Sequence, residues 1–402
     1  MVHDLIVVGG GPGGAACARD AAKLGLDVLV VEKEDHPRRK ICAGGFRAAL
    51  TDLLDFDISS VIEREFCGTY VYAPSGLKVE CTRPELTGYT AKRELFDHLL
   101  LQKASEAGAE VLTGVEVIDV QESIDDVRVD CRDGSTYSAR YVVGADGVNS
   151  RVARKTGIKP KWEDKEIGLC IEAGVPMDPD EIMRITRGPY EDSNRVCIEI
   201  FFGGLEHGYS WCFPKKDEVS LGLGCLMVHA SGLKQAWRNF VEQFEKRNGI
   251  KVDVSNAKAM RVPLTGPIKT TTTKRIMLIG DAAGFVSPAT GEGIYYAIET
   301  GQMAASTISD ILQGKIERAI EYQNKWKQTI GKQLKASNFV ANMMFNSEAN
   351  MELVVQMAAS DAYIRDRMTE LIGGVKPYTE LRNAIMKRVI TRHPLKGLRL
   401  IF

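Results

Sequence analysis

No apolar run in the 402-residue chain approaches the ~18 residues of a membrane-spanning helix, which excludes a helix that crosses a bilayer. Its nine cysteines are scattered with no Cys-x-x-Cys pair, and no metal site is expected. Net charge is almost absent. With 52 basic and 53 acidic residues the total is −1, so there is no global pull toward nucleic acid and any charged-surface role is local. There is no internal repeat, and the one low-complexity stretch, Thr270 to Thr273, is expected in a loop. No basic-then-apolar leader precedes the first strand, which with the scattered thiols reads as a cytoplasmic, reducing context. What remains is ordinary globular material, 44% hydrophobic and 26% charged. A single core stops growing at ~250–300 residues, so two or three packed modules are expected.

The first forty-five residues organise the rest. Asp4 to Val8 (DLIVV) has strand character and feeds into Gly9-Gly10-Gly11-Pro12-Gly13-Gly14, which satisfies the spacing GxGxxG. An alanine-rich helical stretch runs to about Leu24, and Leu26 to Val31 forms a second strand ending on Glu32. Glycines let the backbone approach a pyrophosphate, a helix N-terminus offers free N–H groups, and an acid at the second strand's tip accepts from a ribose hydroxyl. Glu32 follows Gly14 by 18 residues, against the ~20 of a dinucleotide unit. A merely tight turn would not need that acid.

After the basic loop Lys33 to Lys40 comes Ile41-Cys42-Ala43-Gly44-Gly45, where paired glycines let a ligand approach the main chain. Phe66 to Val79 reads as a hairpin, Lys92 to Gly108 as a helix, and Val111 to Val120 and Val127 to Cys131 as strands. From Lys161 to Val262 alternating strands, interrupted by one helix near Leu233 to Arg247, suggest an antiparallel sheet. The nucleotide pattern resumes at Arg275 to Gly280, before Asp281 and a long helix opened by Gly291 to Ile294. The expected modules are a discontinuous nucleotide domain (1–60, 90–160, 270–315), a sheet domain (61–89, 161–269) and a helical region (316–402).

Three blocks in this order, the early GxGxxG, Gly144-Ala145-Asp146-Gly147 and Gly280-Asp281-Ala282-Ala283, resemble the flavoprotein superfamily of the para-hydroxybenzoate hydroxylase type. Within it the chain is most similar to the geranylgeranyl reductase family, through Lys40 to Gly45, through Gly208-Tyr209-Ser210-Trp211-Cys212-Phe213-Pro214-Lys215, and through Gly284 followed by Pro288, Gly291, Glu292 and Gly293. Ala43 departs from it, since members commonly carry glycine there. The resemblance implies an α/β fold with a Rossmann-like FAD domain, an antiparallel substrate sheet and a helical C-terminal region. It implies FAD held by Gly9, Gly11, Gly13, Gly14, Ala15, Glu32, Cys42, Ala43, Arg93, Val117, Asp281, Gly291, Gly293 and Ile294. Residues two apart on a strand share a face, so Tyr209, Trp211 and Phe213 form an apolar wall suited to a hydrocarbon chain, although an aromatic stripe is as readily core.

The implied activity is FAD-dependent saturation of isoprenoid C=C bonds in geranylgeranyl groups of archaeal-type ether lipid precursors. Cys42 is the catalytic candidate. Tyr209, His207 or ordered water are the other proton sources, and a lone cysteine is most often a small buried hydrophobe. A monooxygenase or halogenase of the same fold and an electron-transfer flavoprotein acting on quinone are the alternatives. No second GxGxxG serves a pyridine nucleotide, so the reductant is NAD(P)H bound shallowly or a small carrier such as ferredoxin. Between Lys376 and Phe402 seven basic residues (Lys376, Arg382, Lys387, Arg388, Arg392, Lys396, Arg399) face one acid, Glu380, amid apolar residues. That tail is the candidate for peripheral contact with the cytoplasmic membrane face.

Overall fold

The computed structural model describes residues 2–191, 194–394 and 397. Its first sheet grows from the run the sequence placed at its centre. Val2–Val8 pairs in parallel with Val28–Val31 on one side and Thr136–Gly144 on the other, and Glu110–Leu112 extends the first edge. These strands are apolar without alternation because both faces are covered. Leu5, Ile6, Val7, Leu29, Val30, Val142 and Val143 are all fully buried. Thr136–Gly144 divides its free edge between two partners. Thr136 to Ala139 pair antiparallel with Val127–Cys131, and Val142 to Gly144 pair in parallel with Ile276–Leu278. That second pairing returns the late Asp281 block to the side of the early glycine loop.

The helix Pro12–Lys23 starts with Pro12 in its first turn, where the missing N–H costs nothing. It packs against the long helix Ile294–Leu312 at a separation only glycine permits. A Cβ on Gly13 would lie 2.7 Å from the Ala297 carbonyl oxygen, and one on Gly301 would lie 2.3 Å from that of Gly13.

The second sheet has nine strands, and the fold departs from the expected layout in several places. Its main path runs Lys258–Pro263, Ile167–Pro176, Glu218–Leu226, Gly208–Pro214, Val196–Phe201, Ile62–Tyr72, Gly88–Ala91, Gly45–Arg47. It is antiparallel except where Val196–Phe201 runs parallel to Ile62–Tyr72. Gly45–Arg47, expected within the nucleotide module, belongs to this sheet through Gly88–Ala91, so the loop carrying Cys42 bridges the two modules. A second helix, Pro179–Thr186, stands where only strands were expected; the Asp178 carboxylate caps it by accepting from the Asp180 N–H at 2.9 Å. At two turns it is too short for its periodicity to stand out among strands. The expected strand Val111 to Val120 is in fact two, Glu110–Leu112 and Val117–Glu122, one in each half of the first sheet.

Five further helices, Ile320–Gln328, Ile330–Phe345, Glu348–Ser360, Ala362–Ile372 and Tyr378–Arg392, complete the described chain. The last four share an apolar cluster with Val71, Val79 and Phe202 of the second sheet. Among the described residues no helix is long and apolar enough to cross a membrane. Of the basic tail, Leu395, Lys396 and Leu398 to Phe402 lie outside the described residues.

Candidate active site

Two spaces meet at the Cys42 loop. The first is a cleft lined by Gly9, Gly11, Gly13, Glu32, Val117 and Asp281, which tertiary folding collects from three separate parts of the sequence. Each glycine has its own task. Gly9 takes φ +106, and a Cβ there would fall 2.5 Å from the Ala145 carbonyl oxygen. Gly11 faces open space, the nearest atom to a Cβ being Arg38 Nη2 at 3.7 Å. Gly14 and Ala15 do not line the cleft. A Cβ on Gly14 would lie 1.9 Å from the Gly9 carbonyl oxygen, and buried Ala15 gives its N–H to the Gly11 carbonyl at 2.9 Å. They hold the turn, one layer behind the cleft's lining.

Glu32 is buried, and its carboxylate accepts from the Gly10 N–H at 2.6 Å and the Glu34 N–H at 3.0 Å. The acid therefore braces the glycine loop, and its remaining lone pairs face the cleft. Asp281 lies half-buried in the cleft. Burial raises its carboxyl above the ordinary range, opposed by Lys40 and Arg93.

These features fit FAD. Two helices, Pro12–Lys23 and Ile294–Leu312, bring N-termini without side-chain caps to the cleft, where free N–H groups and positive dipole ends suit a pyrophosphate and the electron-rich end of a flavin. Gly11 leaves room for the phosphates, and Lys40 and Arg93 supply positive charge beside Asp281. Asp146 carries a second sign: Oδ2 caps the Arg151–Lys155 helix, accepting from the Arg151 N–H at 2.6 Å, while buried Oδ1 has no hydrogen-bond partner among the described residues, and Asp146 lines the same cleft. An acceptor so placed suits a ligand hydroxyl.

Arg93 is not the solvated helix residue that its sequence position alone suggests. It grips Asp97 through two bonds of 2.7 and 2.8 Å, and Arg38 approaches the same fully buried carboxylate at 3.4 Å. Burial works against the Arg93 charge, but the Asp97 carboxylate overcomes it and holds the guanidinium charged beside Cys42. Asp97 thus ties the basic loop to the Arg93–Glu106 helix and fixes the neighbour of Cys42. The Cys42 sulfur, half-buried, accepts from the Gly44 N–H at 3.4 Å. Its nearest rival in sequence, Cys67, lies instead 3.8 Å from Cys197 across two strands of the second sheet.

The second space is apolar. Tyr209, Trp211 and Phe213 all line it, as the strand alternation requires, together with Ala43 and side chains of the four C-terminal helices, among them Met343, Met357, Met368 and Ile385. Cys42, Met260, Val262, Gly291, Gly293 and Ile294 line both spaces and mark where they join. Gly291 has φ +69, and a Cβ on it would lie 2.9 Å from the Tyr209 hydroxyl, which itself donates to the Thr290 carbonyl at 2.7 Å. The wall of the cavity thus touches the loop that opens the long helix.

A family model described as FAD binding domain matches residues 3–184. The digeranylgeranylglycerophospholipid reductase 2 of Methanothermobacter thermautotrophicus is 30% identical over 84% of this chain and 86% of its own. The chain belongs to the digeranylgeranylglycerophospholipid reductase family. The reductase of that name from Methanocaldococcus jannaschii is 29% identical over 98% of this chain and 96% of its own. A geranylgeranyl bacteriochlorophyll reductase-like protein of Thermoplasma acidophilum shares the fold with TM-score 0.82 at 23% identity, covering 99% of this chain and 98% of its own. A flavin-dependent brominase shares it with TM-score 0.75 at 21% identity, covering 98% and 100%. This reductase is accordingly an FAD-dependent oxidoreductase, and the brominase is a relative in fold alone.

Several contributors had no legible signal. Met260 and Val262 come from an edge strand, and the C-terminal helices reach the cavity only through tertiary packing. Arg47 and Glu292 also face the apolar space as a closed pair: Arg47 Nε donates to both carboxylate oxygens at 2.9 and 2.8 Å, and Nη2 reaches the Tyr296 hydroxyl at 3.2 Å. Only the Arg93 and Asp97 spacing of four on a helix hinted at the buried clamp beside Cys42.

Proposed function

We propose that this chain hydrogenates C=C bonds in the geranylgeranyl chains of an archaeal-type ether lipid precursor. The observation that carries this reading is the apolar cavity joined to the FAD cleft at Cys42 and Gly291 to Ile294. Bound reduced FAD supplies the hydride. The protein's share is alignment and proton supply. Tyr209, Trp211 and Phe213 hold the chain on one side and the C-terminal helices cover it from the other, excluding water from the alkene. Cys42 holds a proton on Sγ at the junction of the two spaces. Tyr209 is a poorer donor, because burial, reinforced by Cys170 and Cys42, raises its hydroxyl well above the ordinary phenol range. Incubating the dithionite-reduced protein anaerobically with digeranylgeranylglyceryl phospholipid tests the proposal: mass spectrometry should show added hydrogen pairs, and unchanged lipid beside an FAD-loaded protein overturns it.

A Cys42→Ser variant should keep FAD, because a serine oxygen can still accept from the Gly44 N–H and lie beside Arg93, and should lose roughly tenfold to a hundredfold in single-turnover alkene reduction, the lower range for general acid catalysis. A rate equal to wild type returns the thiol to a packing role. For the reductant, NAD(P)H or a ferredoxin-type carrier is the proposal, and the exposed Arg39, Lys40 and Arg261 around the cleft suit the negative charge of either.

Membrane contact through the tail is a further part of the proposal, and the structure reduces its charge. Lys376 approaches Glu370 and Glu380, and Arg388 is bound to Asp361 at 2.8 and 3.1 Å, leaving Arg382, Lys387 and Arg392 as the tail cations among the described residues without an acid partner. Exposed Phe339 and Ile390 lie on this region, Arg382 sitting over the Phe339 ring. A chain ending at Gly374 would strip Tyr378, Leu381 and Val389 from their cluster, so charge reversal is the cleaner test. Each cation near anionic lipid contributes ~1 kcal/mol. Reversing Lys387 and Arg392 to Glu should therefore abolish low-salt co-sedimentation with anionic vesicles, and unchanged pelleting assigns any contact elsewhere.

A further inference from the structure

The apolar cavity has one ionisable nitrogen group on its wall, among the described residues, that no acid binds. Arg47 and Glu292 neutralise each other, and the Tyr209 hydroxyl is committed to Thr290. His207 differs. It lines the cavity and is half-buried, and neither ring nitrogen has a hydrogen-bond partner among the described residues. Its ring stacks on that of His229 with centroids 4.9 Å apart and planes 21° apart, and His229 Nδ1 lies 3.3 Å from Glu206 Oε2. Glu206 thereby engages His229 and leaves the His207 ring to whatever enters the cavity.

The backbone fixes this placement. His207 has φ +49, a left-handed conformation taken by no other non-glycine among the described residues. Its N–H donates to the Phe345 carbonyl at 2.9 Å and its carbonyl accepts from the Leu226 N–H at 3.1 Å. Such a conformation persists only where the surroundings over-determine it. His207 also stands at the head of the aromatic wall. Tyr209, Trp211 and Phe213 follow at every second position, roughly 7 Å per pair of residues. A lipid lying along that wall would have apolar contacts for its chain and, at one end only, the His207 imidazole.

We propose that His207, held in place by its stack on His229, forms a subsite for the phosphate of a phosphorylated isoprenoid lipid whose chain lies along the Tyr209, Trp211 and Phe213 wall. The proposal rests on the reductase reading above and names the polar end of its substrate. A phosphate presents acceptor oxygens, and the His207 imidazole, positioned by His229, presents an N–H donor at the edge of a space otherwise unable to solvate a charge.

The test uses the full-length FAD-loaded protein and three probes: geranylgeranyl phosphate, geranylgeraniol and inorganic phosphate, followed by calorimetric titration. His207→Asn keeps a residue tolerant of the left-handed conformation, and His229→Gln removes the second imidazole, which is not on the cavity wall. Each should weaken geranylgeranyl phosphate at least tenfold and leave geranylgeraniol unchanged. Equal losses for phosphate and alcohol, or no loss for either, overturn the subsite. So does inorganic phosphate binding as tightly as the lipid phosphate. If His207→Asn lowers the melting temperature, His229→Gln decides alone. Failure of wild type to bind either isoprenoid would instead overturn the reductase reading, and the subsite with it.

Discussion

Gly11→Val should purify folded and colourless. The nearest atom to a Cβ at Gly11 is Arg38 Nη2 at 3.7 Å, so the protein itself accommodates the side chain. The bulk instead fills the approach of a pyrophosphate to the N-terminus of Pro12–Lys23. Losing two charge-assisted hydrogen bonds there, at about 1.5–3 kcal/mol each, weakens FAD at least ~100-fold. The neighbouring glycines behave differently. Gly13→Val drives its Cβ to 2.7 Å from the Ala297 carbonyl oxygen, and Gly14→Val to 1.9 Å from that of Gly9, so both should damage the fold itself. Flavin absorbance and circular dichroism measured together separate the two classes. A yellow Gly11→Val protein with full flavin occupancy would contradict the placement of the pyrophosphate.

Trp211→Ala should lower affinity for long isoprenoids far more than for short ones. The indole lines the cavity and rests on Gly222, where a Cβ would come within 2.2 Å of the ring, and Nε1 donates to Ser220 Oγ at 3.4 Å. If about 100 Å² of contact with the hydrocarbon is lost, at ~25 cal/mol per Å² binding weakens by about 2.5 kcal/mol, close to seventyfold. Trp211 is only 6% exposed, so stability should fall as well. The decisive comparison is therefore between geranyl and geranylgeranyl ligands on the same folded variant. Equal losses would place the indole in the core with no part in chain length.

The two predictions draw on different kinds of information. The Gly9 to Glu32 unit was legible because every part of it is local: strand, glycine turn, helix, strand and acid follow one another within thirty-two residues. The aromatic wall was legible for the same reason, since a period of two along one strand settles which side chains share a face. The Asp281 block, Cys42 loop and Gly291 to Ile294 were readable as motifs through family likeness, and parallel pairing of Val142 to Gly144 with Ile276–Leu278 brings the first and last of them to the cleft.

Sequence by itself thus determined the nucleotide unit and the strand face that carries Tyr209, Trp211 and Phe213, and family likeness added the flavin chemistry. Tertiary structure alone decided what closes that face. Met343, Met357, Met368 and Ile385 reach the cavity from helices whose apolar stripes would look the same against any core. The Arg47–Glu292 pair joins residues 245 positions apart, and His207 stacks on His229 through a turn whose left-handed φ no side chain announces. Periodicity reports which face of an element is apolar. It carries no record of the partner, because burial is non-directional and a methionine gains the same transfer free energy against a sheet, a helix or a lipid.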